Sequence, residues 1–182
     1  LSTVTDHPML NSPTPFLGFA AYSGTGKTTL LRQLIPLLRE QGLRIGLVKH
    51  AHHAFDPDTP GKDSYELRKA GASQVLVASH QRWALFTERE QVAEPLLQEE
   101  LQRLDHERLD LILVEGLKHE RFPKIELHRP ALGKPLIYPE DQDVIALATD
   151  AALPQAPRVP LLDLNDPAAI AEFVLEWLRE RA

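Results

Sequence analysis

The sequence predicts an α/β fold, in which a mainly parallel β-sheet is flanked by helices. Residues 16–22 and 109–115 are almost continuously apolar, as strands buried on both faces of a sheet are. After Thr28, leucines recur with the spacing of a helix. Strand patterns that alternate with helical patterns indicate crossover connections, and such connections make successive strands parallel.

The other elements follow from the same patterns. The leucine-rich helix contains Pro36, which we expect to kink the helix or to end its first half, and Gly42 marks its end. Apolar runs at 74–78 and 82–87 have a short connection, which predicts a β-hairpin excursion. The remaining predicted elements are strands at 43–49, 124–128, 144–148 and 159–162, and helices at 63–70, at 92–106 and after the capping residue Asp166.

Length and composition limit the classes of protein to consider. The chain has 182 residues, and we expect a disordered tail at 1–15 followed by a single domain at 16–182. It contains no cysteine, which excludes sites built on thiolates, and its net charge of −6 argues against binding a nucleic acid backbone. No apolar run approaches the ~18 residues of a membrane span. We therefore expect a cytoplasmic protein that binds neither nucleic acid nor membranes.

The stretch from Ala21 to Thr29 is the strongest indication of function. It follows a buried strand and opens a helix, and it matches the Walker A pattern except that Ala21 replaces the first glycine. Gly24 and Gly26 let the backbone wrap closely around phosphate groups, and Lys27 would contact the β- and γ-phosphates. The sequence therefore predicts nucleotide binding, by Ser23, Gly24, Thr25, Gly26, Lys27, Thr28 and Thr29.

Magnesium is expected to accompany the nucleotide. The hydroxyl of Thr28 occupies the position of the Walker A ligand of Mg²⁺. Such sites usually also have a carboxylate at the end of a neighbouring apolar strand. Glu115 stands at the carboxyl end of the 109–115 strand, whereas Asp110 lies at the opposite end, about 16 Å away. Thr28 and Glu115 are thus the predicted metal-site residues.

Several other polar residues have both a functional and a structural interpretation. Asp58 begins Asp-Thr-Pro-Gly, the D-x-x-G form by which some GTPases sense the γ-phosphate, and Asp63 is either a helix cap or a ligand of metal-bound water. Lys49 and Lys118 each stand at or just beyond a strand end. The functional interpretation is contact with phosphates of a second substrate, and the structural one is a solvated lysine at the rim of the site. Three histidines form a local cluster, at His50, His52 and His53. Because adjacent side chains rarely converge on a metal, a solvated loop is the default interpretation of this cluster.

The residues alone do not identify the base of the nucleotide. The Asn-Lys-x-Asp motif of common GTPases is missing, because neither asparagine of the chain heads it. Asp150, at the end of a late strand, is a candidate acceptor for guanine N1 and N2. No residue is evident as a general base or as an arginine finger, so the catalytic residues stay unknown. Intrinsic hydrolysis should be slow, since lacking that arginine costs roughly 10³–10⁵ in rate.

Beyond the Walker segment, three further segments make the chain resemble the molybdopterin-guanine dinucleotide biosynthesis protein B (MobB) family. They are Val-Lys-His-x-His-His at 48–53, Gly-Lys-Asp-Ser-Tyr at 61–65 and Val-Glu-Gly-x-Lys-His at 114–119. With their flanking residues they cover most of the chain from residue 16 to about residue 128. The combination is far more specific than the Walker segment alone.

The resemblance implies a dimeric P-loop protein that binds GTP with Mg²⁺ and has weak GTPase activity. Such proteins assist the guanylyltransferase that attaches GMP to molybdopterin. The implied partners are that enzyme and a second copy of the chain, with molybdopterin as a further ligand to be tested. Two alternatives stay open, namely an ATP-dependent small-molecule kinase and a nucleotide-binding adaptor that does not hydrolyse its ligand.

Overall fold

The computed structural model describes residues 9–51 and 55–181. These residues form two compact units, of which unit 1 holds the chain up to His50 and again from Pro95 onward. Unit 2 holds Ala51–Glu94. Within the described ranges, no helix has the length and apolar character needed to cross a membrane.

The strands and helices are numbered along the described chain. The strands are β1 (Phe16–Ala20), β2 (Ile45–Lys49), β3 (Gln74–Ala78), β4 (Trp83–Thr87), β5 (Leu111–Glu115), β6 (Lys124–His128), β7 (Val144–Thr149) and β8 (Leu161–Asp163). The α-helices are α1 (Lys27–Glu40), α2 (Asp63–Lys69), α3 (Leu97–Leu101) and α4 (Pro167–Arg179). Unit 1 contains a parallel sheet in the order β2-β5-β1-β6-β7-β8, and unit 2 contains the antiparallel hairpin of β3 and β4.

Two apolar layers cover the sheet of unit 1. Leu17 and Phe19 of β1 face a core that includes the buried leucines of α1 and the apolar side of α4. Phe16 faces the other way, into a smaller core with α3 and Phe122. Because both faces of β1 and β5 are covered, their sequences are continuously apolar rather than alternating.

Two helices differ from the prediction, and a proline lies in or next to each. Helix α1 runs without interruption through Pro36, which therefore does not end it. Pro36 and Arg32 are both exposed, so water can satisfy the Arg32 carbonyl that lacks a partner. The helix predicted at 92–106 is much shorter, since only α3 and a 3-10 turn at His106–Arg108 form there. Pro95 disfavours helical geometry in Glu94, and Leu96 has extended backbone, so α3 begins only at Leu97.

The predicted tail at 1–15 is ordered in its second half. The backbone N–H of Leu10 donates to the Arg121 carbonyl at 3.2 Å. Thr14 is buried, and its hydroxyl lies 2.9 Å from Nδ1 of His106. The expectation of disorder is therefore wrong for residues 10–14, while residues 1–8 lie outside the described ranges.

Unit 2 is organised around a buried arginine. The guanidinium of Arg68 in α2 donates to Asp56 and to Glu88, both at 2.6 Å, and lies over the rings of Tyr65 and Phe86. The hydrogen bond to Arg68 lowers the pKa of Asp56 below its usual range. The hairpin predicted from the apolar runs is confirmed, with Leu76 opposite Leu85 and Ala78 opposite Trp83.

Candidate functional site

The Walker segment forms a tight loop between β1 and α1. The N–H and the hydroxyl of Thr25 both bond the Tyr22 carbonyl, at 3.3 and 2.8 Å, which closes the turn. Gly26 adopts φ 102° directly before α1, a conformation that costs little only without a Cβ atom. No side chain caps the helix. The first N–H groups of α1 therefore remain available to an anion, as the helix dipole also favours.

Lys27 lies across the mouth of this loop. Its ammonium donates to the Ala21 carbonyl at 3.3 Å, so the side chain already folds back toward the phosphate position. Burial lowers the pKa of Lys27, Glu115 opposes that effect, and the cations Lys118 and Lys49 add to it. Lys27 and these neighbours together form a cluster of three lysines and one carboxylate beside the loop. Such a cluster offers positive charge to phosphate groups and a carboxylate to a metal ion.

Parallel pairing brings the predicted carboxylate to the loop. Glu115 pairs with Phe19 of β1 on one side and with Lys49 of β2 on the other. Its carboxylate forms an ion pair with the Lys49 ammonium at 3.3 Å, so Lys49 is the direct partner of Glu115. Asp110, at the far end of the strand, instead bonds Arg44, as its predicted distance from the loop requires.

The oxygen chemistry of this edge fits Mg²⁺. Thr28 is exposed in the first turn of α1, and Glu115 offers a mostly buried carboxylate at the neighbouring strand end. Magnesium is usually held by one or two such groups together with water and substrate phosphates. Among the residues described, no group of three or more His, Asp or Glu side chains is placed to hold a metal by itself.

A strained turn places Lys118 against the loop. Gly116 has φ 99°, where a Cβ atom would come within 2.7 Å of the His50 Cβ, and Leu117 has the unusual value of 52°. The turn carries the Lys118 ammonium to 4.6 Å from the centre of the Tyr22 ring. Lys118 is therefore brought to the site, as its position after a strand end predicts.

Arg129 is a site residue that the sequence interpretation missed. It follows β6, and its Nε–H donates to the carbonyl of Thr25 in the loop at 2.8 Å. Its Nη1 group donates to the Asp150 carboxylate at 2.5 Å. Asp150 is the candidate base acceptor, and its second oxygen is buried without a hydrogen-bond partner in the described structure. A lone arginine in a proline-rich stretch has no local motif that would have indicated this contact.

Other candidates lie in unit 2 or outside the described ranges. The Asp58 carboxylate accepts from the Ser64 hydroxyl at 3.1 Å and from the Thr59 N–H at 2.9 Å, which organises the start of α2. Asp63 is the first residue of α2, and no side-chain cap forms at the preceding residue, so its predicted role as the cap is wrong. In the histidine cluster, the N–H of His50 donates to the Glu115 carbonyl, whereas His52 and His53 lie outside the described ranges.

Comparison with known proteins shows which family shares this arrangement. The family model for "Molybdopterin guanine dinucleotide synthesis protein B", MobB, matches residues 16–150. The chain belongs to the MobB family. The match includes the Walker loop, Glu115, Lys118 and Arg129, and it ends at Asp150.

MobB relatives match nearly the whole chain. A molybdopterin-guanine dinucleotide biosynthesis adapter protein of Escherichia coli K12 is 55% identical over 168 residues, which cover 92% of this chain and 95% of the relative. The protein of the same name from Haemophilus influenzae is 45% identical over 171 residues, covering 93% and 92%. The crystal structure of Bacillus subtilis MobB superposes with a TM-score of 0.66 at 26% identity, covering 89% of this chain and 96% of that one. The predicted α/β P-loop fold is thereby confirmed.

Proposed function

We propose that the chain is a GTP-binding adapter with weak GTPase activity, which assists the attachment of GMP to molybdopterin in molybdenum cofactor biosynthesis. The observation that carries nucleotide binding is the closed Walker loop with an uncapped helix behind it. The pathway is supported by the names of the two relatives, both called biosynthesis adapter proteins. Its partners are then the guanylyltransferase of this cytoplasmic pathway and molybdopterin.

Different residues of unit 1 contact different parts of the nucleotide. Backbone N–H groups of residues 23–29 bind the β-phosphate, Lys27 moves from the Ala21 carbonyl to the β- and γ-phosphates, and Thr28 and Glu115 would hold Mg²⁺. The metal, when bound, neutralises phosphate charge. Lys49 and Lys118 add positive charge beside the γ-phosphate position.

Guanine selection is assigned to Asp150. The N1 and N2 donors of guanine fit a carboxylate, and adenine does not offer them in that arrangement. One Asp150 oxygen bonds Arg129 and the other is buried without a hydrogen-bond partner, so guanine binding must first uncover this carboxylate. The γ-phosphate-sensing role of Asp58 stays a prediction. Slow hydrolysis is expected, because Arg129 is bound to the loop carbonyl and to Asp150.

The interface with a second copy of the chain is assigned to the hairpin of unit 2. Phe86 of β4 contacts Arg68, so that face of the hairpin is covered by α2. On the opposite face Leu76, Trp83 and Leu85 are 62%, 70% and 50% exposed. A two-stranded hairpin is marginally stable by itself, and a two-fold axis would place this apolar face against its own copy.

Isothermal titration calorimetry with Mg²⁺ tests the nucleotide assignment. GTP should bind at one site per chain and ATP at least tenfold more weakly, and Lys27→Ala should abolish GTP binding. Arg39→Ala, which removes an exposed charge near the end of α1, is the matched control and should bind as the wild type does. Tight ATP binding with no response to GTP would refute the assignment and favour a small-molecule kinase. A single-turnover assay separates weak hydrolysis from the non-hydrolysing alternative.

A further inference from the structure

Unit 1 contains a cavity beside the phosphate loop. It has a volume of about 480 Å³ and extends from Tyr22 and Lys118 to the loop of Pro135, Leu136 and Ile137. This volume lies in the range of small-molecule sites, roughly 300–1,000 Å³. Lys124 lines the cavity from β6, whereas Ile125 and Leu127 face α1 and α4. The cavity therefore lies on the sheet face opposite those two helices.

Most charges in this cavity are paired with each other. Lys124 bonds Asp141 at 2.9 Å, and Arg121 bonds Asp143 at 2.6 Å. Glu120 accepts from the N–H of Leu97 at 2.9 Å. Lys118 and Glu140 form no ion pair within the described part of the chain, which leaves these two charged side chains for a ligand. The cavity thus offers one cation at the end near the phosphate loop and one carboxylate on the loop before β7.

Part of the wall between these two charges is apolar, and hydrogen bonds anchor the loop that supplies much of it. The Tyr22 ring forms one side, and Pro135, Leu136 and Ile137 form part of the other. The buried carboxylate of Glu126 accepts from the N–H groups of Ile137 and Tyr138, both at 2.7 Å, which anchors that loop. A cavity held in this way needs little rearrangement when a flat ring enters it.

Lys118 connects this cavity with the nucleotide site. Its ammonium lies over the Tyr22 ring at 4.6 Å, and its charge contributes to the lowering of the Lys27 pKa that burial causes. The strained turn at Gly116 and Leu117 holds it there. Strained backbone of this kind is retained where surrounding structure and function require it.

We propose that this cavity binds a phosphorylated heterocycle together with the nucleotide. Lys118 contacts the phosphate, the ring packs between Tyr22 and Ile137, and the Glu140 carboxylate accepts from an N–H edge of the ring. The proposal rests on the proposed function, which narrows the class to pterin phosphates, since a pterin presents an amino-pyrimidinone edge that donates to carboxylates. The ligand and the nucleotide occupy separate places on either side of Lys118.

A fluorescence titration with neopterin monophosphate tests the proposal on the full chain with Mg²⁺ and saturating GTP. One probe should bind per chain, and Lys118→Ala should weaken it at least tenfold while leaving the weaker binding of unphosphorylated neopterin unchanged. Glu140→Gln should weaken both probes to a similar extent. Arg39→Ala is the charge-removal control. Equal binding of neopterin monophosphate by Lys118→Ala and the wild type would overturn the proposal.

Two further measurements separate this proposal from the function on which it rests. GTP should not displace the probe, and competitive displacement would place the probe in the nucleotide site and overturn the second site. Leu136→Trp fills the cavity and should abolish probe binding without changing GTP affinity. If the wild type does not bind GTP, the proposed function is refuted. If it binds GTP but not the probe, only the proposal for the cavity is refuted.

Discussion

The two units of the chain use their apolar residues in opposite ways. In unit 1, Leu17, Leu113 and Ile125 are fully buried in the sheet, and the exposed edge presents backbone N–H groups and charges. In unit 2, the only buried side chain within its helix is Arg68, while Leu76 and Trp83 are exposed. The sheet of unit 1 thus buries its apolar residues on both faces, whereas the hairpin of unit 2 exposes the kind of surface that proteins usually cover.

The largest expected effect is on assembly through unit 2. Leu85→Asp places a charge on the apolar hairpin face, and burying an unpaired charge in an interface costs several kcal/mol. We expect the dimer to dissociate at least 100-fold more readily, measured by sedimentation equilibrium. Leu132→Asp, at an exposed leucine of unit 1, is the control and should not change the mass. A Leu85→Asp protein that stays dimeric would show that the hairpin face is not the interface.

The next effect concerns the packing of unit 1. A Cβ atom on Gly18 would overlap the Phe122 ring, which is itself buried. Gly18→Ala should therefore lower the free energy of unfolding by about 1–3 kcal/mol, as overpacking does. Urea denaturation measures the change, and adding Phe122→Leu should recover part of it. Unchanged stability of Gly18→Ala would mean that the ring can move freely.

A smaller effect is expected where Arg129 supports the phosphate loop. Arg129→Ala removes the donor to the Thr25 carbonyl and leaves Asp150 without its cation. We expect about tenfold weaker GTP binding, since a charge-assisted hydrogen bond contributes roughly 1.5–3 kcal/mol, part of which is replaced by water. Calorimetry measures the change against Arg158→Ala, an exposed arginine. Wild-type affinity in Arg129→Ala would show that the loop keeps its geometry unaided.

The smallest effect is a change in acid stability. Hydrogen bonds from Arg44 lower the pKa of Asp110 to about 2. A lowered carboxyl pKa adds stability above the unfolded pKa, about 3.9, and that stability is lost as the pH falls through the folded value. Asp110→Asn should therefore flatten the dependence of unfolding on pH between about 4 and 2. Thermal unfolding across this window tests it, and an unchanged slope would contradict the assignment.

The sequence predicted what local patterns control. The glycine spacing and the strand before it predicted the Walker loop, and the strand-terminal Glu115 was correctly placed next to β1 by parallel pairing. The hairpin and the capping of α4 by Asp166 were also predicted, because turn length and capping chemistry are local.

The sequence could not predict contacts that join distant segments. Arg129 and Thr25 are far apart along the chain, and no residue spacing encodes their contact. The aromatic contact of Lys118 depends on two left-handed residues, of which Leu117 has no preference for that conformation. The order of residues 10–14 depends on partners near residues 106 and 121.

The bond from Arg129 to the loop has a consequence for the peptide that it contacts. The carbonyl of Thr25 and the N–H of Gly26 belong to one planar trans unit, in which they point in opposite directions. By holding the carbonyl at 2.8 Å, the guanidinium fixes the direction of that N–H as well. Glycine would otherwise allow this peptide plane to rotate between two orientations. A cation bound on one side of the backbone thus sets the orientation of a donor on the other side before any anion arrives.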